Sequence, residues 1–413
     1  MLKFLFSIVL LASFLSVAQE SSSDKQSFDR SGGYARVQSL GNNPYLVDPE
    51  NMKTNPAYAA YYQNFLWGDL GSSAITDDNG VGQFAGFSLK ITPAITIGGL
   101  LTRKDFQSYS IGLLDPARAV WTVNSIVGAP TDVVTHLDNN LELFGSLKLG
   151  NMILGLGAAY ASTTNKYTPA TGSGDEGSAS QFGLNGGLIL EVSQDLDVDA
   201  DVSLIFPSAS YTPGTGSKTA SSNTLILIDG RAFYKINSKL TFVPLVNFGT
   251  ISGSVDAGGK TNDLPSTTMF GVGFGINYRA GDFLLAGGPS FMYTKTTDPS
   301  IPNISPETSN SSFEFPVWNL GAEWNLTSWF IARFGYVAST SSDTWQNAVS
   351  ATKTDEYTRT TFGPKDGATL GIGLRFGQFG LDATVNEEIL RQGLNNIGGG
   401  KATLAYISAS YAF

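Results

Sequence analysis

Apolar and polar residues take turns at every second position over much of this chain. Leu141, Leu143, Gly145, Leu147 and Leu149 alternate with Glu142, Phe144, Ser146 and Lys148. Phe182, Leu184, Gly186, Leu188 and Leu190 make a second apolar row, and Val272, Phe274 and Ile276 a third. Period two is the signature of a β-strand, whose successive side chains point to opposite faces. The last stretch, 401–413, reads KATLAYISASYAF. Phe413, Tyr411, Ala409, Ile407 and Ala405 share one face of it, and Ser410 and Ser408 the other. One face suits lipid and the other a polar interior, with aromatics where a membrane interface would lie.

Very short connections join these segments in pairs. They are Thr92-Pro93, Gly150-Asn151, Ser193-Gln194-Asp195, Asn237-Ser238, Ala280-Gly281, Thr327-Ser328 and Gly377-Gln378. Gly, Asn, Ser and Pro supply turn geometry at such points. The polar stretches 163–179, 207–222, 251–266, 294–311 and 341–366 read as long loops at the opposite end. Short turns at one end and long loops at the other is the asymmetry of an outer-membrane barrel. The pattern therefore predicts an all-β fold, a transmembrane antiparallel β-barrel of about 14–16 strands. It would span 61–413 and sit in the bacterial outer membrane. Outer-membrane lipid and lipopolysaccharide, the barrel-assembly machinery and a small-molecule substrate are its expected partners.

The first residues differ. Lys3, an apolar run from Phe4 to Leu15 and Ser16-Val17-Ala18 predict a signal peptide over 1–18. The run is short for a membrane-spanning helix of roughly 20 residues. The segment 19–60 shows no sustained alternation, and Pro44, Pro49 and Pro56 would break a ladder. Its Tyr34, Val37, Leu40, Tyr45, Leu46 and Val47 favour packing inside the barrel as an N-terminal luminal plug over a mobile tail.

This segment resembles the N-terminal hatch of the FadL-type outer-membrane transporters for fatty acids and aromatic hydrocarbons. Ser31-Gly32, Asp48 and Asn51-Met52-Lys53-Thr54-Asn55-Pro56-Ala57 stand in the order of that family's hatch. The resemblance places Asn51, Asn55, Pro56 and Ala57 in the plug. It implies a barrel that admits a ligand by moving the hatch or opening the wall.

Charged residues make up 15% of the chain, against about 25% in soluble proteins, as lipid–lumen alternation requires. A net charge of -10 argues against a nucleic-acid partner. Asp197, Asp199 and Asp201 fall on one face, opposite Leu196, Val198, Ala200, Val202 and Leu204. They read as a cation-attracting stripe, a partner row for lumen bases, or ordinary lumen solvation. Asp229, Arg231 and Lys235 share a face, as do Arg279 with Asn277 and Glu323 with Asn319. Arg333 belongs to the same lumen set, and Arg375 faces Asp382 across the Gly377-Gln378 turn. Mixed signs predict cross-strand salt links, some to the plug. Gly271, Gly273, Gly275, Gly371 and Gly373 on inward rows give room for a plug or ligand. Pro244 and Pro316 predict bulges or kinks.

The region 105–138 is unusually apolar for a loop, with Leu113, Leu114, Val120, Trp121, Val123, Ile126 and Val127. Leu113, Leu114, Trp121 and Ile126 read as a capture surface at the outer mouth. The alternative is an inward-folded constriction or packed helix. The single His136, with Asp132 and Ser125 nearby, does not make a triad, and no His/Cys metal cluster exists. The chain reads as no enzyme, with no cofactor and no metal. Passive uptake of small hydrophobic molecules is the expected function. A polar-solute porin with an acidic lumen, or a structural or adhesion barrel acting through its loops, are the alternatives.

Overall fold

The computed structural model describes residues 31–71, 84–103, 119–127, 134, 137, 139–300, 306–350, 352–362, 367–385 and 404–413. The expected signal peptide lies outside them.

Alternating sequence becomes strand throughout. In chain order the strands are β1 (Phe65–Gly71), β2 (Phe84–Lys90), β3 (Ile95–Arg103), β4 (Asn139–Leu149), β5 (Met152–Tyr167) and β6 (Asp175–Ser193). Then come β7 (Leu196–Thr212), β8 (Thr219–Asn237), β9 (Leu240–Ala257), β10 (Lys260–Asp263), β11 (Ser266–Ala280) and β12 (Phe283–Asp298). The last are β13 (Thr308–Asn325), β14 (Phe330–Ser350), β15 (Lys353–Phe362), β16 (Gly367–Phe376), β17 (Phe379–Val385) and β18 (Leu404–Ala412). Strand β1 pairs antiparallel with both β2 and β18, so the sheet closes on itself. Segments β10 and β11 both pair with β9, and β15 and β16 both pair with β14, so each couple is one interrupted wall strand. The result is a closed 16-stranded antiparallel barrel. Closure satisfies every edge, which a strand wall in hydrocarbon requires.

The faces fall as the alternation predicts. Leu141, Leu143, Leu147, Phe182, Leu184, Val272, Phe274 and Ile276 are exposed on the outside. Glu142, Phe144, Asn185, Ser408 and Ser410 are buried on the inside. Outward Tyr234, Trp324, Trp329, Phe376, Tyr411 and Phe413 stand at the turn end. Tyr160, Phe182, Phe206, Phe270 and Phe313 stand further along the strands, giving the two aromatic girdles of a lipid-facing band.

The long loops are a correction. Strand continues through most of 163–179, 207–222, 251–266 and 341–366, and β14 alone is 21 residues long. The reason lies in the outward face. Above Phe182 and Phe206 it changes to Ser180, Ser178, Ser208 and Ser210, which bond in pairs across β6 and β7 at 2.9 and 3.0 Å. A strand that has left the bilayer faces water and carries hydroxyls, so its sequence loses the apolar half of the alternation. About 9–11 tilted residues cross the membrane, and the remainder stands outside.

Of the two prolines, Pro316 sits at a register shift between β13 and β14. Pro244 interrupts pairing with β8 but keeps the register, so it makes no bulge. The missing N–H removes a ladder bond without adding a residue.

Candidate functional site: the plug and the lumen

The plug consists of α1 (Tyr34–Ser39) and two 3₁₀ turns, Pro49–Lys53 and Pro56–Ala60. Its polar groups bond to the wall around the circumference. Asn277 on β11 donates to Tyr45 O, Asn319 on β13 to Gly41 O, Thr369 on β16 to Ser39 O and Thr384 on β17 to Ala35 O. Ala35 N donates to Ser408 Oγ on β18. A segment bonded to opposite walls of one barrel lies in its lumen.

The Asn-Pro-Ala motif has a clear local logic. Asn51 Oδ1 accepts from Asp48 N at 2.9 Å, closing a reciprocal cap on the first 3₁₀ turn. Asn55 Oδ1 accepts from Ala57 N, and its Nδ2 donates to the carbonyls of Leu188 and Ala200 at 3.3 and 3.2 Å. Pro56 fills the first helical position, where no N–H is needed. Ala57 is wholly buried against Gly155, where a Cβ would stand 2.1 Å from Ala57 N. Asn55 presses equally on Gly187.

The inward glycines act as expected, with partners the pattern could not name. A Cβ at Gly371 would meet Ser39 at 2.2 Å, and one at Gly273 would meet Tyr45 Oη at 2.7 Å. Gly271 and Gly373 are different, since their neighbours belong to the wall, Asn247 for the first and Arg333 and Asp382 for the second.

The expected salt links form a continuous buried chain from plug to wall. Asp48 pairs with Arg36 at 2.9 Å, and Arg36 with Glu323 at 2.9 Å. Glu323 pairs with Arg333 at 2.6 Å, Arg333 with Asp382 at 2.6 Å, and Asp382 with Arg375 at 3.0 Å. Charges alternate at every step, so each is compensated away from water. Burial pushes the Asp48 carboxyl up to about 7 against the pull of Arg36. Burial also raises Glu50 and lowers Lys53, which counter one another as a pair at 2.7 Å.

The aspartate row divides in three. Asp199 is 4% exposed, pairs with Arg231 at 2.6 Å and accepts from the Tyr58 hydroxyl. Arg231 also donates to the plug carbonyls of Pro44 and Leu46 at 3.0 and 2.9 Å. Asp197 reaches Lys235 at 4.0 Å. Asp201 lies directly across from Asp229 on β8. Arg279 shares the inward parity but is exposed at the turn end, so it is a rim residue and not part of the lumen cluster.

The lumen is filled unevenly. Toward β1–β6, Met52, Tyr58 and Tyr62 of the plug region pack on Trp67, Phe84, Leu100 and Phe144. Toward β7–β14 a cavity of about 800 Å³ remains between plug and wall. Leu46, Leu227, Leu245, Met269 and Met292 line it, with Asp201, Asp229 and Arg231 at one side.

The apolar region 105–138 contributes α2 (Ala119–Val127). Val120 and Val123 are wholly buried in one apolar cluster with Val134, Leu137 and the inner-wall alanines Ala161, Ala179 and Ala209. The helix therefore packs on the inner wall, while Trp121 at 63% and Ile126 at 45% stay exposed. Leu113, Leu114, Asp132 and His136 lie outside the described residues. Among the described residues no group of acidic, His or Cys side chains has metal-binding geometry.

Arg36, Tyr45 and Tyr58 are the functional residues that alternation missed as contacts. Arg36 could be noticed as the one charged side chain of Tyr34–Ser39, and Tyr45 only as an aromatic that favours packing.

A closed wall with a lipid-facing band and a bonded segment in its lumen define the class: a plugged outer-membrane β-barrel. No family model matches the chain, and no curated protein matches it. Similar solved structures include the Pseudomonas putida toluene transporter TodX, at 12% identity over 94% of this chain and 100% of that one, TM-score 0.39. A Pseudomonas aeruginosa FadL homologue is 15% identical over 91% of this chain and 96% of that one, TM-score 0.38. The FrpB iron transporter from Neisseria meningitidis (F5-1 variant) is 10% identical over 78% of this chain, TM-score 0.42, and the match spans 62% of FrpB's length.

Proposed function

We propose that this barrel carries small hydrophobic molecules across the outer membrane. The cavity of about 800 Å³ between plug and wall, with Leu46, Leu227, Leu245, Met269 and Met292 on its surface, carries this reading. Such a chamber is the size of a small-ligand site and sets an apolar wall surface beside a polar face of the plug. Burying a ligand surface of about 150–250 Å² at about 25 cal/mol/Å² is worth about 4–6 kcal/mol. That matches the about 3–5 kcal/mol lost on breaking one buried ion pair. Ligand entry is thus on the scale needed to release one plug contact. Exposed Trp121 and Ile126 on α2 offer a first contact outside the chamber.

The porin alternative fits less well. Asp199 is committed to Arg231 and the plug, so it is not an open cation stripe. Uptake at low external concentration, in cells with and without the barrel, tests the proposal. A neutral aromatic such as toluene should enter faster with the barrel, and W121S/I126S should slow it without changing glucose entry. Equal toluene uptake with and without the barrel would overturn the proposal.

A further inference from the structure

The cavity's polar side carries more negative charge than its cations answer. Four basic-to-acidic contacts account for the cations there. Arg36 is taken by Asp48 and Glu323, Lys53 by Glu50, and Arg231 by Asp199. Asp201 and Asp229 remain. Both line the cavity and face each other across β7 and β8. Neither forms a hydrogen bond or a close ion pair among the described residues, Asp201 Oδ1 is buried without a partner, and Arg231, already paired with Asp199, acts on both only at longer range. Like charges directly opposite on a sheet repel, so a pair that shares only one arginine, itself held by Asp199, favours a further cation placed between them. Leu227 and Leu245 stand on the adjoining apolar wall. The chamber thus joins an apolar surface to a two-carboxylate corner.

Resting on the hydrophobic-uptake reading, we infer that the preferred ligand class is an amphipathic organic cation. Its ammonium group docks at Asp201 and Asp229, and its apolar body lies toward Leu46, Leu227, Leu245 and Met269. A ligand carboxylate would be repelled from the same corner. A charge-assisted hydrogen bond from ammonium to carboxylate is about twice as strong as a neutral one, so charge sets the preference within one shape.

Equilibrium dialysis with the full detergent-solubilised barrel tests this, using three compounds of one shape: phenethylammonium, 2-phenylethanol and phenylacetate. Phenethylammonium should bind at least tenfold tighter than 2-phenylethanol, with phenylacetate weakest. In D201N/D229N the three should fall within about threefold of one another, while D197N, outside the cavity, should keep the wild-type order. Equal binding of the three by the wild type, or tightest binding of phenylacetate, overturns the inference and leaves hydrophobic uptake standing. Binding of none overturns both. Displacement of phenethylammonium by micromolar Ca²⁺ would assign the carboxylates to a metal and also overturn it.

Discussion

The ring of Tyr45 rests on Gly275 so closely that a Cβ at that position would stand 2.4 Å from Tyr45 Cγ. Tyr45 is wholly buried there, its hydroxyl donating to Pro289 O at 2.9 Å and its own carbonyl accepting from Asn277 at 2.8 Å. The plug is therefore seated by shape as much as by charge. Even one methyl group at Gly275 must displace the ring or bend the wall, at about 1–3 kcal/mol for an overpacked site. G275A should loosen the plug and raise single-channel conductance in a planar bilayer. G186A, with no contact nearer than 3.8 Å, should leave the trace as in wild type. Identical traces for both variants would contradict the seating role of Tyr45.

Arg36 is the point where the plug joins the buried charge chain. Replacing it with Met leaves Asp48 without its cation and Glu323 with Arg333 alone. Stranding a buried charge costs about 3–5 kcal/mol. R36M should open the channel intermittently and speed protease cleavage within 31–57, while the barrel keeps its heat-modifiable mobility. A double-mutant cycle with E323Q should give a coupling of about 0.5–3 kcal/mol, and additivity would remove Arg36–Glu323 as a latch.

Phe274 faces lipid midway between the outward aromatics Phe270 and Tyr278. Arg at Phe274 should therefore cost about 2–4 kcal/mol in a reversible folding assay, and Arg at Tyr278 about 0–1. Equal costs would refute the depth assignment. Asn277 is no neutral control, because it holds the plug through Tyr45 O.

The inward seat of α2 depends on Val120 and Val123, which are buried in one apolar cluster with inner-wall alanines. V123D puts a carboxylate into that cluster and should detach the helix. Limited proteolysis should then cut near 119–127, leaving the remaining barrel intact. W121S, altering an exposed side chain, should not expose this site. Cleavage of W121S at the same rate as V123D would mean that the helix is not held by its valines.

The wall was legible in the chain because it follows a local rule. A side chain that alternates between lipid and lumen must alternate in polarity, so strand faces, turns such as Gly150-Asn151 and a count near 16 could be read from neighbouring residues alone. Beyond the bilayer the rule lapses. Ser178, Ser180, Ser208 and Ser210 are strand residues facing water, and they read as loop. Candidate charges were legible as types but not as partners. Glu323, Arg333, Arg375 and Asp382 are spread over four strands, and only barrel closure with its register brings them to one place. Arg36 joins them from 287 positions away, a pairing that no local pattern encodes. The same holds for the inward glycines. The sequence determined that small residues line the wall, whereas the path of the plug decided that Tyr45, Ser39 and Ala57 occupy the space. It also decided that Asp201 and Asp229 border the chamber without an ion pair while Asp199, two residues away on the same chamber, is paired with Arg231. Alternation is set by the solvent on each side of a strand. Occupancy of the lumen is set by packing between segments far apart in the chain, and so only the tertiary structure could decide it.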